Sequence, residues 1–295
     1  MTLVQNAPHT ITGHTSLVGL LGWPVGHTIS PPMHNAAFAA LQMDWCYVPF
    51  AVPPEQLATA VAGARALGLR GLNATVPHKQ ALLDLVDELT PEAAAIGAVN
   101  TLLFGDRITG HNTDGIGFIN ALQETGTTPC GRHALLLGAG GAARAVGYAL
   151  LREGASLTIL NRTASRADSL ANDLATVLPG SSVDAAPLDA DTVARYAQLA
   201  DLIVNCTLVG MSPHDQQCPW PAGVAYPAGI PLFDLIYAPP ETRLMALARA
   251  SGSLATNGLS MLVHQGAASF ELWTGTLPPI DVMRSACLHA LGRRE

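Results

Sequence analysis

The stretch HALLLGAGGAARAV, residues 133–146, decides the fold. Its apolar run 134–137 reads as a buried strand, the glycines after it as a tight turn, and the alanine-rich run beyond as a helix. Strand, glycine turn and helix in that order open a dinucleotide-binding βαβ unit. In the pattern G-x-G-x-x-A, Gly138 permits the turn and Gly140 lets backbone approach a pyrophosphate. Ala143 takes the small position where helix and strand pack closely. The helix N-terminus offers unpaired N–H groups and a positive dipole end to phosphates, so Gly138, Ala139, Gly140, Gly141 and Ala142 are expected to line them. A turn that binds nothing can carry the same letters, and the next expected strand, 157–160, decides between them. It runs into Asn161-Arg162-Thr163, with Arg166 close behind. An NAD site carries an acid at this point for the ribose hydroxyls, whereas an arginine suits the 2′-phosphate of NADP.

Working outward, 295 residues suit two domains of ordinary size, and 49% hydrophobic content is ample for their cores. A charged content of only 13%, with frequent glycine and alanine, suits tight helix–sheet packing in an α/β enzyme. A net charge of −7 without any dense Lys/Arg run argues against a nucleic-acid partner. Five cysteines, an odd number without C-x-x-C spacing, read as reduced thiols of a cytoplasmic protein. The first sixteen residues read as a loose polar leader without a secretory pattern, and no apolar run approaches a membrane span. The ten histidines show no HExxH and no Cys/His cluster, so no metal site is expected.

Before the organising stretch, strands are expected at 17–21, 46–50 and 69–75, with helices from Ser30 and over 54–67. Ser30 reads as an N-cap with Pro31 as the first helical residue. Pro77 stops the third strand, and a helix to Val86 places Lys79 in its first turn. A short helix follows over 90–96, then a strand over 97–104 that carries Asn100. A hairpin at Gly105-Asp106 returns the chain along 107–109, and Asp114 reads as the cap of a helix starting at Gly115. After a polar linker at 125–131, strands near 133–137, 156–160, 182–186, 201–205, 231–236 and 253–256 alternate with helices. The one break is a proline-rich loop over 210–229 that contains Trp220. Such alternation predicts a parallel sheet covered on both faces. Two last helices, 259–273 and 280–291, have no strand to follow and are expected to return to the first domain. The expected division is 1–116 joined by 258–295, and 117–257.

The chain resembles the shikimate dehydrogenase family. The resemblance rests on nine motifs in order: GWPVGHTISPPMHN (22–35), LNATVPHK (72–79), GAVNT (97–101), GHNTDGIGF (110–118), GAGGAARA (138–145), NRTASR (161–166), VNCTLVGM (204–211), FDLIYAPPET (233–242) and NGLSMLVHQGAASFELWTG (257–275). It implies a substrate domain with a mixed sheet followed by a Rossmann-like NADP domain, and reversible hydride transfer between NADPH and 3-dehydroshikimate. It implies Lys79 and Asp114 as the catalytic pair, and Thr28 and Ser30 as holders of the substrate carboxylate. Asn73, Thr75, Asn100, Tyr237 and Gln265 would contact ring hydroxyls or position the pair. Asn161, Arg162, Thr163 and Arg166 would join the glycine turn in binding NADP, with Leu235 and Gly258 near the nicotinamide. The partners implied are small molecules, and a homodimer is left open.

The chemistry agrees with this assignment. Reducing a ketone requires a proton for the new alkoxide, which a lysine can donate and take back. For a lysine to serve as base near neutrality its surroundings must favour the neutral form; partial burial and a helix N-terminus act in that direction. His78 and His264, beside proposed site residues, read as packing or loop histidines, and Cys206 as core. One departure is visible: the family more often has serine where Thr28 stands. Relatives that also accept quinate, often with NAD, share most of these motifs, and an NADP-binding regulatory protein is the reading from another class. The presence of both Lys79 and Asp114 counts against the latter.

Overall fold

The computed structural model describes residues 10–292. They divide into two compact units: the described residues of Met1–Thr113 and Gly266–Glu295, and Asp114–Gln265. Of the expected leader, residues 1–9 lie outside the described range. Thr15 donates to Asp44, and Ser16 already begins the first strand.

The first unit contains β1 (Ser16–Gly22), α1 (Ser30–Ala40), β2 (Trp45–Ala51), a 3-10 turn running into α2 (Leu57–Ala66), and β3 (Gly71–Ala74). A second 3-10 turn (Ala81–Leu85), β4 (Glu88–Leu89), α3 (Pro91–Ile96), β5 (Thr101–Phe104) and β6 (Ile108–His111) complete its first part. The sheet order is β2-β1-β3-β5-β6-β4. Strand β1 is parallel to both β2 and β3, whereas β3–β5 and β5–β6 are antiparallel, so the sheet is mixed. Val18, Leu20 and Leu72 come from its central strands and are buried, as their unbroken apolar runs require.

The second unit contains α4 (Asp114–Glu124), β7 (His133–Leu137), α5 (Gly141–Arg152), β8 (Ser156–Asn161), α6 (Ala164–Val177), β9 (Val183–Pro187), α7 (Ala190–Ala197), β10 (Leu202–Asn205), β11 (Leu232–Asp234), α8 (Arg243–Ala250) and β12 (Ala255–Thr256). All its strand pairs are parallel, in the order β12-β11-β10-β7-β8-β9. The chain starts at the centre with β7, steps outward to β8 and β9, then returns to build β10, β11 and β12 on the other side. This is the doubly wound order, and its direction reverses between β7 and β10, where such sheets bind dinucleotides. The loop joining β10 to β11 is anchored in the core: the Trp220 indole donates to the Val224 carbonyl and packs at a tilt against Tyr226, whose hydroxyl donates to the Ile230 carbonyl.

Helix α9 (Leu259–Thr274) begins in the second unit and ends in the first, followed there by α10 (Ile280–Gly292). Within the first unit Trp273 donates to the Leu102 carbonyl of β5, and α10 packs along α1. No helix among the described residues is long and apolar enough to cross a membrane.

Candidate functional site

In the second unit the turn after β7 has the features its glycines predict. Gly138 adopts a φ of +106°, and its N–H donates to the Leu160 carbonyl of β8. A Cβ there would lie 3.0 Å from the Thr207 methyl, so glycine is required both by conformation and by the close passage of the loop after β10. Around Gly140 there is open space, and the first ladder bond of α5 runs from Arg144 N–H to Gly140. The N–H groups of Gly141, Ala142 and Ala143 therefore stand outside the helix ladder, at the positive end of its dipole. Arg162 and Arg166 are exposed, and among the described residues neither pairs with a carboxylate. Arg144, by contrast, is mostly buried and paired with Asp173 at 2.6 Å. Asn161 donates to the Thr163 carbonyl. Thr163 occupies the N-cap position of α6, but its side chain makes no capping bond.

Beyond β10 and β11 a buried carboxylate shapes the opposite loops. Asp234 is 0% exposed and accepts from Asn205, the Ile236 N–H and Thr242. Burial raises its pKa above the ordinary carboxylate value, while those three donors pull it back. Leu235 and Tyr237 lie in the loop held by this carboxylate, both half-buried. Gly258 donates to the Ile236 carbonyl and passes so close to Leu235 that a Cβ would fall 2.0 Å from the Leu235 carbonyl oxygen. Gln265 is half-buried and donates to the Leu262 carbonyl. Cys206 lies beside this group, with its thiol pKa raised by burial and by Asp234.

In the first unit the expected substrate residues gather at the C-terminal ends of β1 and β3. Thr28 accepts the Ser30 N–H at 3.2 Å. Thr75 follows β3, its N–H bonded to the Leu21 carbonyl. Lys79 is half-buried, and its carbonyl accepts from Val99. Asn73 and Asn100 are 5% and 2% exposed and lie in one polar network. Tyr47 donates to Asn73 Oδ1; Asn73 Nδ2 donates to Thr101 and Ser269; Thr101 donates to Asn100 Oδ1. Asn100 Nδ2 in turn donates to Thr113, the residue before Asp114. Asp114 itself is 4% exposed.

Several local expectations are corrected. Ser30 is not an N-cap but the first residue of α1, because the Thr28 hydroxyl takes its N–H and the cap falls on Ile29. Lys79 does not sit in an α-helix. Its carbonyl is held by Val99, Leu83 bonds back only three residues to Gln80, and β4 begins at Glu88. Lys79 therefore precedes a short 3-10 turn, Ala81–Leu85, rather than occupying the first turn of an α-helix. Asn100 precedes β5, because α3 ends in a left-handed turn at Gly97 and the strand starts only at Thr101. Asp114 is the first residue of its helix, which does not wait for Gly115. Leu235 lies past the end of β11, which stops at Asp234. His78 donates to the Val52 carbonyl at 2.8 Å, and His264 pairs with Glu124 at 2.8 Å.

Sequence reading missed Tyr47, Thr101, Thr113 and Ser269. Their contacts join positions as much as 196 residues apart, and no local periodicity marks a small hydroxyl as part of a network.

Three family models cover most of the chain. Residues 20–102 match the shikimate dehydrogenase substrate binding domain, 121–212 match shikimate / quinate 5-dehydrogenase, and 258–288 match the shikimate 5′-dehydrogenase C-terminal domain. The NADP(+) shikimate dehydrogenase of Symbiobacterium thermophilum is 47% identical over 284 residues, covering 96% of this chain and 97% of that one. The chain belongs to the shikimate dehydrogenase family. Among solved members, the Thermus thermophilus shikimate 5-dehydrogenase in complex with NADP(H) and shikimate is 39% identical. It superimposes with a TM-score of 0.84 over 94% of this chain and 100% of that one. The quinate dehydrogenase of Corynebacterium glutamicum in complex with NAD also has a TM-score of 0.84, at 32% identity over 93% and 99% of the two chains.

Proposed function

We propose that this member of the family catalyses the reversible, NADP-dependent interconversion of shikimate and 3-dehydroshikimate. The observation that carries the reading is the end-to-end match to an NADP(+) shikimate dehydrogenase with both candidate catalytic side chains present, Lys79 and Asp114. The residues of the second unit fit the cofactor. The open turn at Gly138 to Ala142 suits a pyrophosphate, and Arg162 and Arg166 are exposed cations suited to a 2′-phosphate. Asn161 and Thr163 shape the loop that carries these arginines, and Leu235 and Gly258 border the nicotinamide. NADP, when bound, supplies or accepts the hydride.

The protein's own groups handle the proton and the substrate. Lys79 donates a proton to the carbonyl oxygen during reduction and removes it from the hydroxyl during oxidation. Asp114 accepts a hydrogen bond from a substrate hydroxyl. Thr28 and Ser30 hold the carboxylate; Asn73, Thr75, Asn100, Tyr237 and Gln265 recognise ring hydroxyls. A site built to pair hydroxyls discriminates strongly against analogues that lack them, because its own buried polar groups are then left unpaired.

The working location is the cytoplasm, which suits five unpaired thiols. Sedimentation distinguishes a monomer from a homodimer. A second reading, a quinate/shikimate dehydrogenase, is favoured by one residue: Thr28 adds a methyl group where the family more often has serine. Steady-state rates with shikimate and quinate, each against NADP and NAD, test the assignment. Shikimate with NADP should give the highest kcat/KM; a higher value for quinate with NAD contradicts the proposal.

A further inference from the structure

We infer that Tyr47 is a positioning residue for substrate recognition, acting through the amide of Asn73. The inference rests on the proposed reaction, in which that amide meets a substrate hydroxyl. Tyr47 comes from β2, is 1% exposed, and is fixed at every point. Its backbone N–H and carbonyl are both bonded to the side chain of Asn35, and its ring stacks on His34 at 4.3 Å, 6° from parallel. From this mount its hydroxyl donates to Asn73 Oδ1 at 3.0 Å.

That bond supplies the donor that the Asn73 oxygen needs. A carboxamide oxygen only accepts and its NH2 only donates, whereas a hydroxyl does both. With Tyr47 donating to Oδ1, Asn73 turns its NH2 towards Thr101 at 3.0 Å, Ser269 at 2.9 Å and the Asn100 carbonyl at 3.3 Å. Thr101, accepting there, sends its own proton to Asn100 Oδ1 at 2.9 Å. Asn100 Oδ1 also accepts the Thr113 N–H at 2.8 Å, and its NH2 donates to the Thr113 hydroxyl at 2.9 Å. The donors thus run one way from Tyr47 to the Asn100 oxygen, where the Thr113 N–H meets them from the other side. Without the tyrosine hydroxyl, the buried Asn73 oxygen loses its donor, and the amide is held from its NH2 side alone. It cannot recover by turning over, because its oxygen would then face the Asn100 carbonyl. The Tyr47 hydroxyl is what completes the set of bonds around Asn73; buried polar networks of this kind specify a single state only when every member is satisfied.

The test is Tyr47→Phe, which keeps the ring and its stacking and removes only the hydroxyl. Substrate and transition state meet the same amide, so the KM for shikimate should rise about 3- to 10-fold, the loss of one neutral hydrogen bond. The KM for NADP should stay within about twofold, the ordinary scatter for a distant site. In an Asn73→Ala background (or Asn73→Ser, should the alanine variant not fold) the same substitution should have little further effect on the shikimate KM. Coupling of this kind is the signature of action through Asn73. An unchanged shikimate KM, an equal rise in the KM for NADP, or an undiminished effect in the Asn73 variant overturns the inference. A parent enzyme that does not oxidise shikimate at all overturns the functional reading and this inference with it, before any variant is compared.

Discussion

His34 makes the first unit sensitive to acid, and the size of the effect follows from its surroundings. The ring is 0% exposed, packed among Tyr47, Phe38, Phe270 and Trp273, and among the described residues neither nitrogen has a hydrogen-bond partner. Burial pushes its pKa from 6.5 down to about 3. The unfolded chain therefore takes up a proton below the ordinary histidine value, whereas the folded chain refuses it until far lower pH. Stability attributable to the neutral ring is complete above the unfolded pKa and is lost as pH falls through the window between the two values. The loss is RT ln(1 + 10^(pKa − pH)) with the unfolded pKa, or about 2 kcal/mol at about pH 5. His34→Phe keeps an aromatic ring in the stack and removes the titration. Urea unfolding followed by tryptophan fluorescence, at about pH 8 and about pH 5, gives four free energies. Their double difference cancels every other titrating group and should favour the phenylalanine variant at the lower pH by about 2 kcal/mol. A double difference near zero refutes the reasoning, and would mean that His34 finds a proton acceptor in the folded state.

Three further outcomes are expected. Replacing Arg162 and Arg166 together by uncharged residues should weaken NADP binding about 10- to 100-fold, the loss of one or two charge-assisted bonds. NAD binding should change little, which titration calorimetry with both cofactors checks. Ser30→Ala should raise the shikimate KM while shifting stability by less than about 0.5 kcal/mol, because Ser30 is not the cap of α1. Thermal melts beside the kinetics separate the two roles, and a large drop in Tm with an unchanged KM would return Ser30 to a structural part. Acidic pH should not loosen the Asp234 cluster, since burial raises its pKa above the ordinary carboxylate value and the folded chain therefore takes up that proton at least as readily as the unfolded one. The loop carrying Leu235 should therefore show no new hydrogen exchange at a pH where the first unit has begun to open.

The second unit was legible because its physics is local. A parallel sheet covered on both faces requires continuous apolar strands, and runs such as 134–137 and 157–160 announce themselves by composition alone. Gly138 could be read from one letter because its left-handed φ admits little else. The first unit was less legible where tertiary bonds overrode local preference. The spacing of Leu82, Leu83 and Val86 suits a helix after Lys79. Yet Val99 claims the Lys79 carbonyl, and β4 leaves no length for regular turns. The same holds for Asn100, whose expected strand is shortened by the left-handed turn at Gly97. Motifs located Asn73 and Asn100 but were silent on their neighbours. Ser269 reaches Thr101 and Thr113 across more than half the chain, and it takes coordinates to see that these hydroxyls complete one network.

The central claim is that Lys79 moves the proton while other residues hold cofactor and substrate. Lys79→Ala, assayed for NADPH formation from shikimate beside a direct measurement of NADP affinity, tests it most directly. The account predicts turnover lower by roughly 10²- to 10⁴-fold with NADP affinity close to that of the parent enzyme. A variant that retains most of its turnover would contradict it.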